Sequence, residues 1–211
     1  KGAEKAADRA RAFNYLGLSA YNRNRLDEAA ALFEKSLAAM KAENETAGVV
    51  SNAMNLGAVH QRLGRVTEAL KAYGEALKTT ESLKNSFLLA MLLSNLANLH
   101  LSVGSIEEGE AHLARSMELA ASLGLPLLQG YNLLLQADAA AWRGKQGEVE
   151  SLLETALKHF KDHPGPMYED HARFRLEILK LRRQIAWEAA RLMYSRQESE
   201  YYRAKMTAAR R

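Results

Sequence analysis

Four segments of this chain superimpose on one another at a step of 40 residues, and that periodicity restricts the possible folds more than any other feature. In this register Asn24, Gly64, Gly104 and Gly144 align, as do Glu28, Glu68, Glu108 and Glu148. The same step aligns Phe33 with Tyr73, Leu113 and Leu153, Ser36 with Ala76, Ser116 and Ala156, and Leu37 with Leu77, Met117 and Leu157. A unit of this size repeated in register is a supersecondary element that buries its apolar face only against its neighbours.

The unit is helical. Ala, Leu, Glu, Lys and Arg recur throughout, only Pro126, Pro164 and Pro166 interrupt, and alternating β-branched runs are missing. Two antiparallel helices approach closely only where side chains are small. Gly17, Gly57, Ala97 and Ala137 fall midway along a first helix, with Ala29 and Ala69 on the facing turn of a second and Gly109 and Val149 as looser equivalents. Between them, Asn24, Gly64, Gly104 and Gly144 occupy the helix-ending position, where a left-handed backbone is easiest for Gly and next easiest for Asn. The chain therefore reads as all-α, built from units of helix, tight turn, helix.

Composition excludes several classes. With 47% hydrophobic and 26% charged residues, 211 residues suffice for a sizeable core, and no apolar run reaches the roughly 18 residues of a membrane span. Cysteine is absent, which excludes disulfides, thiolate metal sites and a cysteine nucleophile. The opening "KGAEKAADRA" has neither a signal core nor an initiator Met, so the expectation is a cytoplasmic piece of a longer protein.

An aromatic, then Leu-Gly, then Ala with an aromatic four residues on, resembles the tetratricopeptide repeat family. The pattern occurs as Phe13, Leu16, Gly17, Ala29, Phe33 and again as Leu56, Gly57, Ala69, Tyr73, and the match covers roughly residues 9–160. The resemblance implies a right-handed superhelical array of four hairpins, at about 9–44, 46–84, 86–124 and 127–160, with first helices on the concave face. Two departures are the 40-residue period and the missing proline after the second helix. They imply a longer second helix, as in long-repeat members resembling kinesin light chain and bacterial peptide-sensing regulators. A HEAT-type array shares the period but leaves the Leu-Gly and Ala positions unexplained.

A concave stripe recurs on the first helices at spacings of four and three, and amides dominate its middle: Ser51, Asn55, Ala58 and Arg62, then Met91, Asn95, Asn98 and Ser102. Asn55 and Asn95 hold equivalent positions, and a carboxamide offers the donor and acceptor that an extended peptide backbone requires. In long-repeat relatives, groove asparagines resembling these hold a bound peptide; the alternative is that such an Asn bonds only to the neighbouring repeat. Leu18, Met91, Leu135 and Trp142, with Tyr131, either form side-chain pockets flanking the amides or, for Trp142 and Tyr131, pack on the segment C-terminal to the fourth repeat. The expected function is a protein-protein interaction scaffold that holds a peptide or partner segment in the groove.

No phosphate-cradling loop, activated nucleophile or metal-ligand cluster is visible, so neither enzymatic activity nor a cofactor is expected. His60 and His100 occupy equivalent positions and read as packing residues. His159 and His163 have i,i+4 spacing, but Pro164 moves His163 out of helical conformation.

The segment "KDHPGPMYED" ends the repeat register, giving a linker over 161–168 and a single long helix over 169–211. Its seam of Phe174, Ile178, Leu181, Ile185, Ala189 and Leu192 is expected to cap repeat four, or else to pair with a second chain. Residues 171–211 carry 11 Lys and Arg against 4 Asp and Glu, whereas 1–170 carry 18 against 21. The basic end, with its interleaved Tyr, is a candidate for nucleic-acid contact, against the commoner reading of a solvated helix. Residues 188–211, "EAARLMYSRQESEYYRAKMTAARR", weakly resemble the leader helix of prokaryotic nucleotidyltransferase-like proteins. That resemblance implies the alternative of a regulatory or substrate-positioning arm of a larger enzyme.

Overall fold

In a computed structural model, which describes residues 2–163, 168–194 and 201–210, the described chain is helical throughout. The helices are α1 (Gly2–Asn22), α2 (Leu26–Ala42), α3 (Thr46–Arg62), α4 (Val66–Leu83), α5 (Ser86–Ser102), α6 (Ile106–Ser122), α7 (Pro126–Trp142), α8 (Gln146–Asp162), α9 (Tyr168–Tyr194) and α10 (Tyr201–Ala209). Consecutive helices pack against one another, giving an all-α solenoid.

The turns explain the period. Asn24, Gly64, Gly104 and Gly144 all adopt positive φ, between 60° and 80°. In each turn the N–H of the following residue returns to a carbonyl five residues back: Arg25 to Ala20, Arg65 to His60, Ser105 to His100 and Lys145 to Ala140, all at 2.9 Å. That bond satisfies an orphan helix carbonyl and fixes a sharp reversal. The connections between hairpins use the same device, with positive φ at Asn44, Lys84 and Gly124. At Lys84 the following residue, Asn85, caps α5 by accepting the Leu88 N–H at 3.0 Å. A left-handed residue thus recurs every 20 residues, and from α3 to α6 first and second helices come out alike at 17 or 18 residues. The expectation that the long period lengthens only the second helix is corrected: the extra residues are shared because both turns have the same geometry.

Gly17 and Gly57 lie under the rings of Phe33 and Tyr73, where an added Cβ would come within 2.7 Å and 2.5 Å of ring carbons. Repeats three and four make the same contact with Ala97 and Ala137 beside Leu113 and Leu153, a larger residue facing a smaller one. Several polar side chains within the core are paired at the joints. Ser36 donates to the Ala10 carbonyl at 2.7 Å, and the equivalent Ser116 donates to Ala90 at 2.9 Å. Between α5, α6 and α7, Ser94 donates to Asn132 Oδ1 at 2.7 Å and Asn132 Nδ2 donates to Ser116 at 3.0 Å, all three residues being buried.

Asn52 occupies the position of Asn132 two repeats earlier without that network. Its Nδ2 bonds the Gly48 carbonyl at 2.8 Å, but its buried Oδ1 has no partner among the described residues. An unpaired buried acceptor costs about 1–3 kcal/mol. Leu92, at the equivalent position in repeat three, is fully buried, so the fold accommodates leucine there. Asn52→Leu is therefore expected to raise stability by ~1–3 kcal/mol, and Asn132→Leu to lower it by a similar amount because Ser94 loses its acceptor. Equilibrium urea unfolding of the two variants checks the opposite signs.

The C-terminal part departs from the expected single helix over 169–211. In a continuous helix Ala208 would lie about 24 Å beyond Leu192, at 1.5 Å per residue. Instead α10 packs back on α9, placing Ala208 in a cluster with Ile185, Ala189 and Leu192. The seam is corrected too. Phe174 and Leu181 are 64% and 56% exposed, and the face docked on repeat four is Tyr168, Ala172, Leu176 and Leu179, against Leu134, Leu153 and Phe160. This part of α9 holds the register of a fifth first helix. Arg183 pairs with Glu150 as Arg143 pairs with Glu110, each residue displaced by 40. Gln184 stands where earlier repeats have Asn or Gly, which explains why α9 runs on instead of turning. Arg203, Lys205 and Arg210 are exposed on and beyond α10, and residues 195–200 of the basic tail lie outside the described residues.

Candidate binding cleft

Side chains from all five odd-numbered helices meet at one cleft of about 560 Å³. Tyr21 comes from α1, Ala58 and Arg62 from α3, Met91, Asn95 and Asn98 from α5, Tyr131 from α7 and Tyr168 from α9, with Tyr73 reaching it from α4. The stripe read along separate first helices becomes one surface because equivalent positions on successive hairpins stack side by side.

The amides differ in what they have to spare. Asn55 Nδ2 donates to Asn14 Oδ1 at 3.0 Å, across to the preceding repeat, and Asn55 does not line the cleft. Asn95 and Asn98 line it, half-buried, and their side chains make no hydrogen bond among the described residues. Arg62 donates Nη2 to Asn24 Oδ1 at 2.7 Å and Nη1 to the Tyr21 carbonyl at 3.3 Å, while its guanidinium lies 4.6 Å from the Tyr21 ring centroid. Two of its N–H groups are thereby used and the others remain available to a ligand. Among the described residues, Arg62 is the one charged side chain lining the cleft.

The apolar candidates divide. Met91 lines the cleft and an adjoining pocket of about 390 Å³, together with Tyr131, Leu128 and Tyr168. Leu18 is half-buried and packs on the core between α1, α2 and α3, and Leu135 is buried in the cluster around Ala97 and Leu113. Neither lines the cleft, although the equivalent Ala58, Asn98 and Asn95 do. Tyr131 packs on Tyr168 of α9 with ring centroids 5.5 Å apart. Trp142 is 58% exposed beside the Gly104 turn and lines neither cavity.

Tyr168 is not marked by any motif in the sequence, and neither are Tyr21, Phe87 and Leu127. A signal exists for Phe87 and Leu127, which are equivalent positions at the starts of first helices. For Tyr168 the signal is its place one 40-residue step beyond Leu128, which also lines both cavities, but it reaches the cleft only because α9 docks as a fifth first helix. That docking is held by Arg175, which donates to both Asp138 carboxylate oxygens and, at 3.3 Å, to the Leu134 carbonyl. Burial pushes the Asp138 carboxyl above the usual range while Arg175 opposes the shift. Burial also lowers His171, helped by the Arg175 charge. Burial raises Tyr73, Tyr131 and Tyr168, so their hydroxyls stay neutral at physiological pH.

His60 is half-buried with Nδ1 unpartnered among the described residues, and the rings of His100 and His112 meet at a tilt with centroids 5.3 Å apart. His163 ends α8 in a non-helical conformation, with φ of −131°. Among the described residues no three His, Asp or Glu side chains are grouped to hold a metal ion, and no helix is long and apolar enough to cross a membrane.

Two tetratricopeptide repeat family models match the sequence, at residues 9–44 and 49–120, together just over half of the chain. The chain belongs to the tetratricopeptide repeat family. Tetratricopeptide arrays are protein-interaction scaffolds, and this chain has that general character. Its fold is similar to those of solved crystal structures. One is a putative kinesin light chain with nearly identical TPR-like repeats from Podosopora anserina, at 17% identity and a TM-score of 0.61, covering 97% of this chain and 94% of that one. Another is BtubC (BKLC) from P. vanneervenii, at 19% identity and a TM-score of 0.62, covering 74% of this chain and 66% of that one. No curated protein matches the sequence. The family matches end at residue 120, so the tetratricopeptide assignment does not bear on the likeness seen in residues 188–211.

Proposed function

We propose that this tetratricopeptide array binds an extended segment of a partner protein in the cleft between its first helices. The observation that carries this reading is the adjacent pair Asn95 and Asn98, whose carboxamides face the cleft without partners among the described residues. A half-buried amide left unpaired by its own fold is suited to pair with a peptide backbone, which offers alternating donors and acceptors. Asn55 has a supporting role in this reading, tying repeat two to repeat one through Asn14.

The test is selection of binders from a random dodecapeptide phage library against the whole chain, followed by calorimetry with a selected peptide. Asn95→Ala and Asn98→Ala should each weaken binding by ~0.5–1.5 kcal/mol, the net value of one hydrogen bond, while thermal melting is unchanged. Undiminished binding by both variants would move the site elsewhere on the array.

A further inference from the structure

Beside the amides lies a second cavity that the polar cleft alone does not explain. Its lining is apolar, and three of its large side chains are left open: Phe87 is 48%, Met91 38% and Leu127 39% exposed. At about 390 Å³ it falls in the size range of cavities that hold ligand groups. It is continuous with the cleft, because Met91, Leu128, Tyr131 and Tyr168 line both. Whatever lies along Asn95 and Asn98 therefore passes the mouth of this pocket.

Charge sets the other end. Among the described residues lining the two cavities, Arg62 is the single charged side chain and none is a carboxylate. Arg62 is level with Ser102 on the neighbouring first helix, one 40-residue step away, and Ser102 lies 11 residues beyond Met91 on α5. At 1.5 Å per helical residue that separation is about 16 Å, the span of roughly five residues of extended chain.

We infer that the apolar pocket at the N-terminal ends of α5 and α7 receives a bulky apolar side chain of the bound segment, and that Arg62 receives a carboxylate carried about five residues away. This rests on the reading of the cleft as a peptide site and specifies its ligand. Burial of the side chain against Met91, Leu127 and Tyr131 supplies affinity, and the distance to Arg62 supplies specificity and direction. Tyr168 is a contact residue in this scheme, so the fifth helix is a wall of the site as well as a cover for repeat four. Phe160 supports it, stacked on the Tyr168 ring at 5.6 Å between centroids.

The dodecapeptide library distinguishes this inference from the broader reading. Selected peptides are expected to share a Phe, Trp, Leu or Met with an Asp or Glu four to six residues away. Replacing the apolar residue of a synthetic consensus peptide by Ala should weaken binding at least tenfold. Leu127→Ser and Tyr168→Ala should weaken the consensus peptide by a similar factor but leave the Ala-substituted peptide unaffected, a readout that general unfolding would not produce. Arg62→Gln should weaken only peptides that carry the acid. Peptides that depend on Asn95 but share no apolar residue, or that carry Lys or Arg in place of the acid, would overturn the inference and leave the peptide-binding function standing. Failure to enrich any peptide would remove both.

Discussion

Gly57→Leu is expected to lower the stability of the array by ~3 kcal/mol, the upper end of the range for overpacking a close contact. A Cβ alone at this position would lie 2.5 Å from Tyr73 Cε1, with two further ring atoms within 2.8 Å. The Tyr73 ring cannot swing aside freely, because it is buried in the cluster of Val50, Met54, Ala69 and Leu92 that joins repeats two and three. Relief must come from moving α3 away from α4, which also opens the stacking on either side. For a domain of this size such a change lowers the melting temperature by about 6–12 °C. Gly74, one residue past that ring, is the control. Nothing lies within 4 Å of a Cβ built there, so Gly74→Ala should stabilise α4 by ~0.5–1 kcal/mol through reduced backbone freedom in the unfolded chain. If differential scanning calorimetry gives Gly57→Leu an unchanged midpoint, the close-packed hairpin contact is not what holds the repeats together.

Removal of residues 168–211 is expected to cost more. Tyr168, Ala172, Leu176 and Leu179 leave the face of repeat four, and Leu134, Leu153 and Phe160 lose their cover. At about 1.5–3 kcal/mol for each large side chain fully buried, the loss comes to roughly 5 kcal/mol. The truncated chain should unfold at lower urea and expose an apolar flank that binds a hydrophobic dye or drives association. A shorter cut after Tyr194 removes α10 together with residues 195–200 and 210–211 and should act locally, because Ala208 covers Ile185, Ala189 and Leu192 at the far end of α9. Equal unfolding midpoints for the longer truncation and the whole chain would show that α9 does not complete repeat four.

The core of the hairpins was legible because its chemistry is local. Gly57 with Tyr73 and Gly17 with Phe33 are separated by 16 residues, two helix halves and one turn, so composition at fixed offsets reports a contact directly. The cleft was half legible. Arg62, Met91, Asn95 and Asn98 do line it, as their shared stripe implies. Asn55 belongs to the same stripe, yet its amide is taken by Asn14, a residue on the inward-turning side of the preceding helix. Leu18 and Leu135 also follow the stripe, in the same register as the cleft-lining Ala58, Asn98 and Asn95, yet Leu18 packs on the core of the first repeat and Leu135 is buried, so what stacks beside each position, and not its helical phase, decides between groove and core.

The C-terminal region shows the same division. An apolar pattern marked α9 as amphipathic, but it did not say which neighbour would cover which turn. Repeat four chose Tyr168, Ala172 and Leu176, and α10 took Ile185, Ala189 and Leu192, leaving Phe174 and Leu181 exposed.

What the sequence by itself determined is everything repeated at 40 residues: the all-α class, the hairpin, the left-handed turn positions and the tetratricopeptide likeness. These are properties of short-range sterics, in which a missing Cβ or a positive φ has one consequence wherever it occurs. Only the tertiary structure decided that Tyr21, Asn95, Tyr131 and Tyr168 meet in one cleft, and that α9 is a fifth first helix with Arg175 on Asp138. The rotation between stacked hairpins sets those distances, and it arises from the summed packing of every interface along the array instead of from any single repeat.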